Sequence, residues 1–154
     1  PAVIDAGALA RVNKVRNNWV LTPHAGEAQA LCESRGWAVT REEIESAPAH
    51  WVRRLASELG CCVLLKGART VISEPDGTVH ATPVGPARLA TAGSGDVLAG
   101  IMGALMATEQ PGGSRSAAVV AANAVLIHHA AAGTRALETA QTILEVARSH
   151  REDS

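Results

Sequence analysis

The sequence has no Phe and no Tyr, and its aromatic side chains are three Trp. A core without phenyl rings must be assembled from Ala, Val, Leu and Ile around those Trp. Small aliphatic side chains of this kind suit close packing of helices on a sheet. An excess of one charge is also missing: the formal net charge is -1, with Lys and Arg spread along the chain. Neither a nucleic-acid footprint nor an anionic-membrane footprint is expected from that balance. No apolar run reaches the roughly 18 residues of a spanning helix, since residues 117–132 are interrupted by Asn123, His128 and His129. There is no basic, then apolar, then small-residue start of the kind that marks a signal peptide. The chain therefore reads as soluble, and Pro1-Ala2-Val3-Ile4-Asp5 looks like the middle of a protein. Cysteine is scarce, with Cys61 and Cys62 adjacent in a total of three. An odd count without CxxC argues against a disulfide framework or zinc site and fits a reducing cytoplasm, with the thiols as small core fillers. Six His show no metal-ligand spacing, and His128 and His129 read as packing positions of a helix, so no metal-ligating side chain is assigned.

What is present has the grammar of an α/β domain. At 154 residues a single domain is expected. Residues 2–5 and 19–21 are short apolar runs that read as buried strands, with a helix over 7–15 between them. Pro23 favours an extended residue before it and opens a helix over 26–35. Thr40 and Glu43 have capping-box spacing, and Trp51, Leu55, Ala56 and Leu59 then recur at helical spacing up to Gly60. Cys61 to Lys66 is apolar on both alternations and predicts a strand covered on both faces. Residues 70–73 and 78–81 flank Glu74-Pro75-Asp76-Gly77, a turn that makes them a β-hairpin. Helices are predicted over 95–107, 114–134 and 139–148, with Pro111-Gly112-Gly113 breaking the first pair.

Three segments carry chemistry. In Thr91-Ala92-Gly93-Ser94-Gly95-Asp96-Val97-Leu98 a small-residue loop runs into an apolar helix. A helix start offers unpaired N–H groups and positive potential, and Gly93 and Gly95 let the backbone approach an anion closely. The loop, Ser94 included, suits a phosphoryl group, and Asp96 in the first turn is placed to take a proton from an attacking hydroxyl. A first-turn Asp also caps helices, so from this loop alone both roles stand. The second segment, Leu21-Thr22-Pro23-His24-Ala25-Gly26-Glu27, falls between strand and helix, where α/β sheets bind ligands. His24 suits a ligand carbonyl or phosphate; a surface turn with a capping Glu27 is the plainer alternative. In the third, Leu64-Leu65-Lys66-Gly67-Ala68-Arg69-Thr70, a buried strand ends in cations suited to nucleotide phosphates, or simply snorkels its charge into water.

Taken in this order, the three segments resemble the L-T-P-H-P-G-E, K-G-x-x-T and G-G-[ST]-G-D-V-L segments of the ADP/ATP-dependent NAD(P)H-hydrate dehydratase family. Ala25 and Ala92 stand where that family usually has Pro and Gly, and Asp5-Ala6-Gly7-Ala8-Leu9 is similar to D-A-D-A-L without its second Asp. The resemblance implies a ribokinase-like α/β fold, a mostly parallel sheet flanked by helices with a β-hairpin, here lacking the amino-terminal part of the domain. It implies that His24 and Asp96 contact hydrated NADH or NADPH, with Asp96 catalytic. Lys66, Gly67, Ala68, Arg69, Thr70 and Gly95, with the Gly93-Ser94 turn, would serve the adenine nucleotide. It further implies Mg²⁺, ADP or ATP as co-substrate, and phosphoryl transfer to the C6 hydroxyl followed by loss of phosphate. An incomplete sheet with an open edge tends to pair, so a homo-oligomer is expected. A ribokinase-like kinase for a vitamin precursor or sugar would use the same glycine loop, and an inert nucleotide-binding fragment is the third reading.

Overall fold

In the computed structural model, residues 1–12, 15–109, 116–133 and 135–143 are described. The strict alternation of Cys61 to Leu65 organises the whole molecule. Cys61, Val63 and Leu65 point into one hydrophobic cluster, while Cys62 and Leu64 point into another on the opposite face. Val20 and Leu21 part in the same way, as do Ile72 and Val71. A strand buried on both sides has no polar alternate, which is why these runs read as continuous apolar sequence. The three free thiols are buried, and burial pushes Cys61 up to about 12, so they act as core atoms.

Among the described residues the sheet has five strands, in the order of the sequence: β1 (Ala2–Ile4), β2 (Trp19–Leu21), β3 (Cys62–Leu65), β4 (Arg69–Ser73) and β5 (Val79–Val84). β1, β2 and β3 run parallel, whereas β3, β4 and β5 form an antiparallel meander. The sheet is therefore mixed, because Lys66-Gly67-Ala68 closes a second hairpin beside the one predicted at Glu74-Pro75-Asp76-Gly77. β1 and β5 are the edges.

One face is covered by α1 (Ala25–Glu33), α2 (Arg41–Ser46) and α3 (Pro48–Leu59). The Thr40/Glu43 capping box forms, but the helix it opens is short, because Pro48 cannot donate an N–H and starts α3 anew. α3 ends where Gly60 takes φ +66, and it buries Val52, Leu55 and Ala56. The other face carries α4 (Ser94–Thr108) and α5 (Ala117–Ala130), which pack on each other and on the strands. Glu74, from the hairpin, accepts the Ala118 N–H at 2.7 Å and so ties β4 to the start of α5. Between β1 and β2 the expected helix is a six-residue 3-10 turn, Ala6–Arg11. Helix continues over 136–143. The predicted break at Pro111-Gly112-Gly113 and the end of the last helix at 144–148 lie outside the described residues. No helix among the described residues is long and apolar enough to cross a membrane.

Candidate active site

Three parallel strands end side by side, and each delivers one charged or polar residue to the same rim. Asp5 follows β1, His24 follows β2 and Lys66 follows β3. Backbone bonds hold the strand ends in register beyond the strands proper: the Thr22 N–H donates to Ile4 at 3.0 Å and the Lys66 N–H to Pro23 at 2.8 Å. Lys66 Nζ lies 2.6 Å from Asp5 Oδ1 and 3.7 Å from Glu27 Oε2. The two closest partners are only 21% and 14% exposed, so this pair is far less screened than one on the surface.

His24 and Glu27 form a complete capping box. The Glu27 N–H donates to His24 Nδ1 at 3.1 Å, and the His24 N–H donates to Glu27 Oε2 at 2.8 Å. Gly26 makes room for this fold-back, since a Cβ there would lie 3.2 Å from the imidazole. The plainer reading of Glu27 as a cap thus holds, while the same carboxylate also faces Lys66.

The glycine loop reaches the rim from the opposite direction. Gly93 takes φ +82 and caps α4, a conformation that L side chains rarely adopt. The Ser94 N–H donates to Thr91 and the Val97 N–H to Gly93, both at 3.2 Å. Among the described residues no side chain caps α4 and nothing accepts from the N–H of Gly95 or Asp96. These two amides open the positive end of a fifteen-residue helix. A Cβ on Gly95 would lie 3.6 Å from Lys66 Nζ and 3.8 Å from Asp5 Oδ2, so the ammonium sits against the start of α4.

A cleft of about 720 Å³ joins these parts, a size that suits a small-molecule ligand. His24, Lys66, Gly67 and Ala68 form one wall, Ser94, Gly95 and Leu98 another, and the segment from Val84 to Thr91 a third. Of the residues singled out in the sequence, Gly93 shapes the loop without lining the cleft, and Asp96 is exposed one residue beyond Gly95. Arg69 is exposed at the start of β4, and Thr70 is buried with its carbonyl accepting from Thr82 Oγ1. Neither lines the cleft.

Two contributors escaped sequence reasoning. The Asp5–Lys66 pair spans 61 positions, and no local pattern announces it. His128 and His129, read as packing residues, do pack, but both also line the cleft. His128 is buried, and its Nε2 shares a hydrogen bond of 3.1 Å with Ser94 Oγ. Burial holds its pKa below the usual imidazole range, helped by the neighbouring His129, which burial also lowers.

A model of the NAD(P)H-hydrate dehydratase family matches residues 1–150. The chain belongs to that family. The ADP-dependent (S)-NAD(P)H-hydrate dehydratase of Bacillus subtilis is 38% identical over 135 residues, covering 86% of this chain and 45% of its own length. A crystal structure of the ADP/ATP-dependent enzyme from the same organism, co-crystallised with ATP and Mg²⁺ and soaked with CoA, superposes with a TM-score of 0.80 at 27% identity. The superposition covers 97% of this chain and 56% of that one. A ribokinase-like superfamily protein from Enterococcus faecalis shares the fold, with a TM-score of 0.73 at 24% identity over 97% of this chain and 52% of that one. The ribokinase-like α/β fold expected from the sequence is thus shown. The chain spans well under two thirds of these dehydratase relatives.

Proposed function

We propose that this chain carries the phosphoryl-handling part of an ADP- or ATP-dependent NAD(P)H-hydrate dehydratase. The observation that carries the reading is the pair of open amides at Gly95 and Asp96, in a first turn whose Gly95 lies against Lys66 and lines the cleft with His24. Amides fixed in advance stabilise charge as it develops on a transferring phosphoryl group, and the same amides serve the phosphate when it later departs. Hydroxide leaves carbon poorly, so transfer of a phosphoryl group from ATP or ADP to the C6 hydroxyl, with ADP or AMP leaving, turns an unfavourable elimination into loss of phosphate together with a proton from the neighbouring ring carbon, which restores NADH or NADPH. Asp96, exposed beside those amides, accepts the hydroxyl proton as the oxygen attacks phosphorus. His24 and Asp96 then meet the hydrated nicotinamide nucleotide. Lys66, Gly67, Ala68 and the Gly93-Ser94-Gly95 turn serve the adenine nucleotide, with Arg69 and Thr70 supporting from β4.

Mg²⁺ fits this chemistry as a companion of the nucleotide, because it keeps water and phosphate oxygens as ligands and needs one or two carboxylates at most. When bound it neutralises phosphate charge; Asp5 and Glu27, engaged by Lys66, and the exposed Asp96 are the carboxylates within the site. A homo-oligomer is part of the proposal, since β1 is an edge strand.

Incubating the protein with hydrated NADH, Mg²⁺ and ADP or ATP, and following the absorbance of reduced nicotinamide, tests the reading. Recovery that falls at least a hundredfold in Asp96→Asn is expected. Recovery indifferent to that change removes Asp96 from the chemistry, and ADP binding without recovery identifies a nucleotide-binding module without turnover.

A further inference from the structure

The first turn of α4 is flanked by glycines at 93 and 95, residues that leave a backbone more freedom than any other. Its own backbone bonds, from Ser94 to Thr91 and from Val97 to Gly93, are local. Among the described residues, the hydrogen bond from this turn to another helix is the one between Ser94 Oγ and His128 Nε2, at 3.1 Å across 34 positions. Both side chains are almost fully enclosed, Ser94 at 6% and His128 at 5% exposure, so water does not compete for the bond. His128 stands in the last turn of α5, a helix packed on four strands of the sheet as well as on α4. The serine is thereby tied to a helix that is itself anchored on the sheet.

We propose that His128 is a positioning residue: by holding Ser94 it fixes the direction of the Gly95 and Asp96 amides before an anion arrives. The inference rests on the reading of that turn as a phosphate site, and it adds a residue that lies in none of the three motifs. Preorganisation of this kind matters because amides that must be ordered by the ligand spend part of the binding free energy on their own ordering.

The test compares His128→Leu, His128→Gln and Ser94→Ala in the full chain. Glutamine offers an amide near the position of Nε2 and keeps the bond. In the ligand-free protein, hydrogen exchange of the Ser94 and Val97 amides is expected to speed up about five- to tenfold in His128→Leu and Ser94→Ala, and to stay near wild type in His128→Gln. Calorimetric affinity for ADP and for inorganic pyrophosphate is expected to weaken by a similar factor in the first two variants alone. The double variant should lose no more than either single one. Glu74→Ala, which removes a cap at the far end of α5, serves as a control that loses stability without loss of affinity. Unchanged exchange and affinity in His128→Leu, failure of His128→Gln to rescue, or additive losses in the double variant would each overturn the proposal. Should His128→Leu fail to fold, Ser94→Ala and His128→Gln decide alone. If the wild type binds neither ADP nor pyrophosphate, the phosphate reading falls, and the exchange rates still decide whether His128 orders the turn.

Discussion

Replacing Lys66 by Met removes the ammonium that Asp5 and Glu27 share and leaves two carboxylates within 3.7 Å of an uncharged side-chain end. Removing one partner of a fully buried pair costs about 3–5 kcal/mol, whereas an exposed pair is worth about 0–1 kcal/mol. With Lys66 and Asp5 side chains 21% and 14% exposed, the expected loss for Lys66→Met lies between these limits, about 2–3 kcal/mol. Asp5→Asn is milder, about 1 kcal/mol, because Lys66 retains Glu27 and the amide oxygen still accepts its proton. A two-body bridge would leave Lys66 in Asp5→Asn with the amide oxygen alone, whereas here Glu27 still faces its ammonium. Urea unfolding followed by Trp fluorescence gives both values, and Asp5→Asn/Lys66→Met should lose less than the sum of its parts. An Asp5→Asn loss equal to or larger than that of Lys66→Met, or an additive cycle, would refute a three-body cluster.

A Cβ on Gly85 would come within 2.8 Å of His129 Nε2, so Gly85→Ala must push the ring from its place, at about 1–2 kcal/mol. Denaturant titration together with the His129 ring proton shifts measures this, and an unmoved ring would contradict the packing described. Glu74→Ala should lower stability by about 1 kcal/mol, and Glu74→Gln by less, since an amide oxygen can still accept from Ala118. Equal thermal midpoints for the two variants would show that the cap contributes little. Because His128 is held neutral by burial, the unfolded chain binds more protons than the folded one below the ordinary imidazole value of about 6.5. Stability from this residue is complete above that value and is lost as pH falls from there towards the lowered folded value. Melting curves between pH 7.5 and 5.5 should therefore be shallower in pH for His128→Gln than for the wild type.

The elements legible in the sequence are those whose period or chemistry is local. Cys61 to Leu65 declared a doubly covered strand, Thr40 with Glu43 declared a capping box, and Glu74 to Gly77 a hairpin, because each depends on neighbours in the chain. The second hairpin at Gly67 was hidden, since Lys66-Gly67-Ala68 reads equally well as a ligand-facing strand end. The 3-10 turn after β1 departs from the helix predicted there because Gly7 and a run of small residues bury only Leu9, too little apolar surface to stabilise a longer helix. The site shows the same division. Its glycine loop was visible from flanking residues, whereas Lys66 with Asp5 and Ser94 with His128 are partners across 61 and 34 positions, joined only once the sheet and its helices assemble.

The fold-back of His24 also dictates what that ring offers to its surroundings. Since Nδ1 receives the Glu27 amide proton, the neutral ring must carry its own hydrogen on Nε2. That donor lies 3.6 Å from Glu27 Oε2, and an acceptor oxygen on a molecule bound beside His24 would be a further partner for it. Phosphate, carboxamide and hydroxyl oxygens can accept from it, whereas an ammonium cannot, so a single cap at the start of α1 already biases the chemistry admitted beside it.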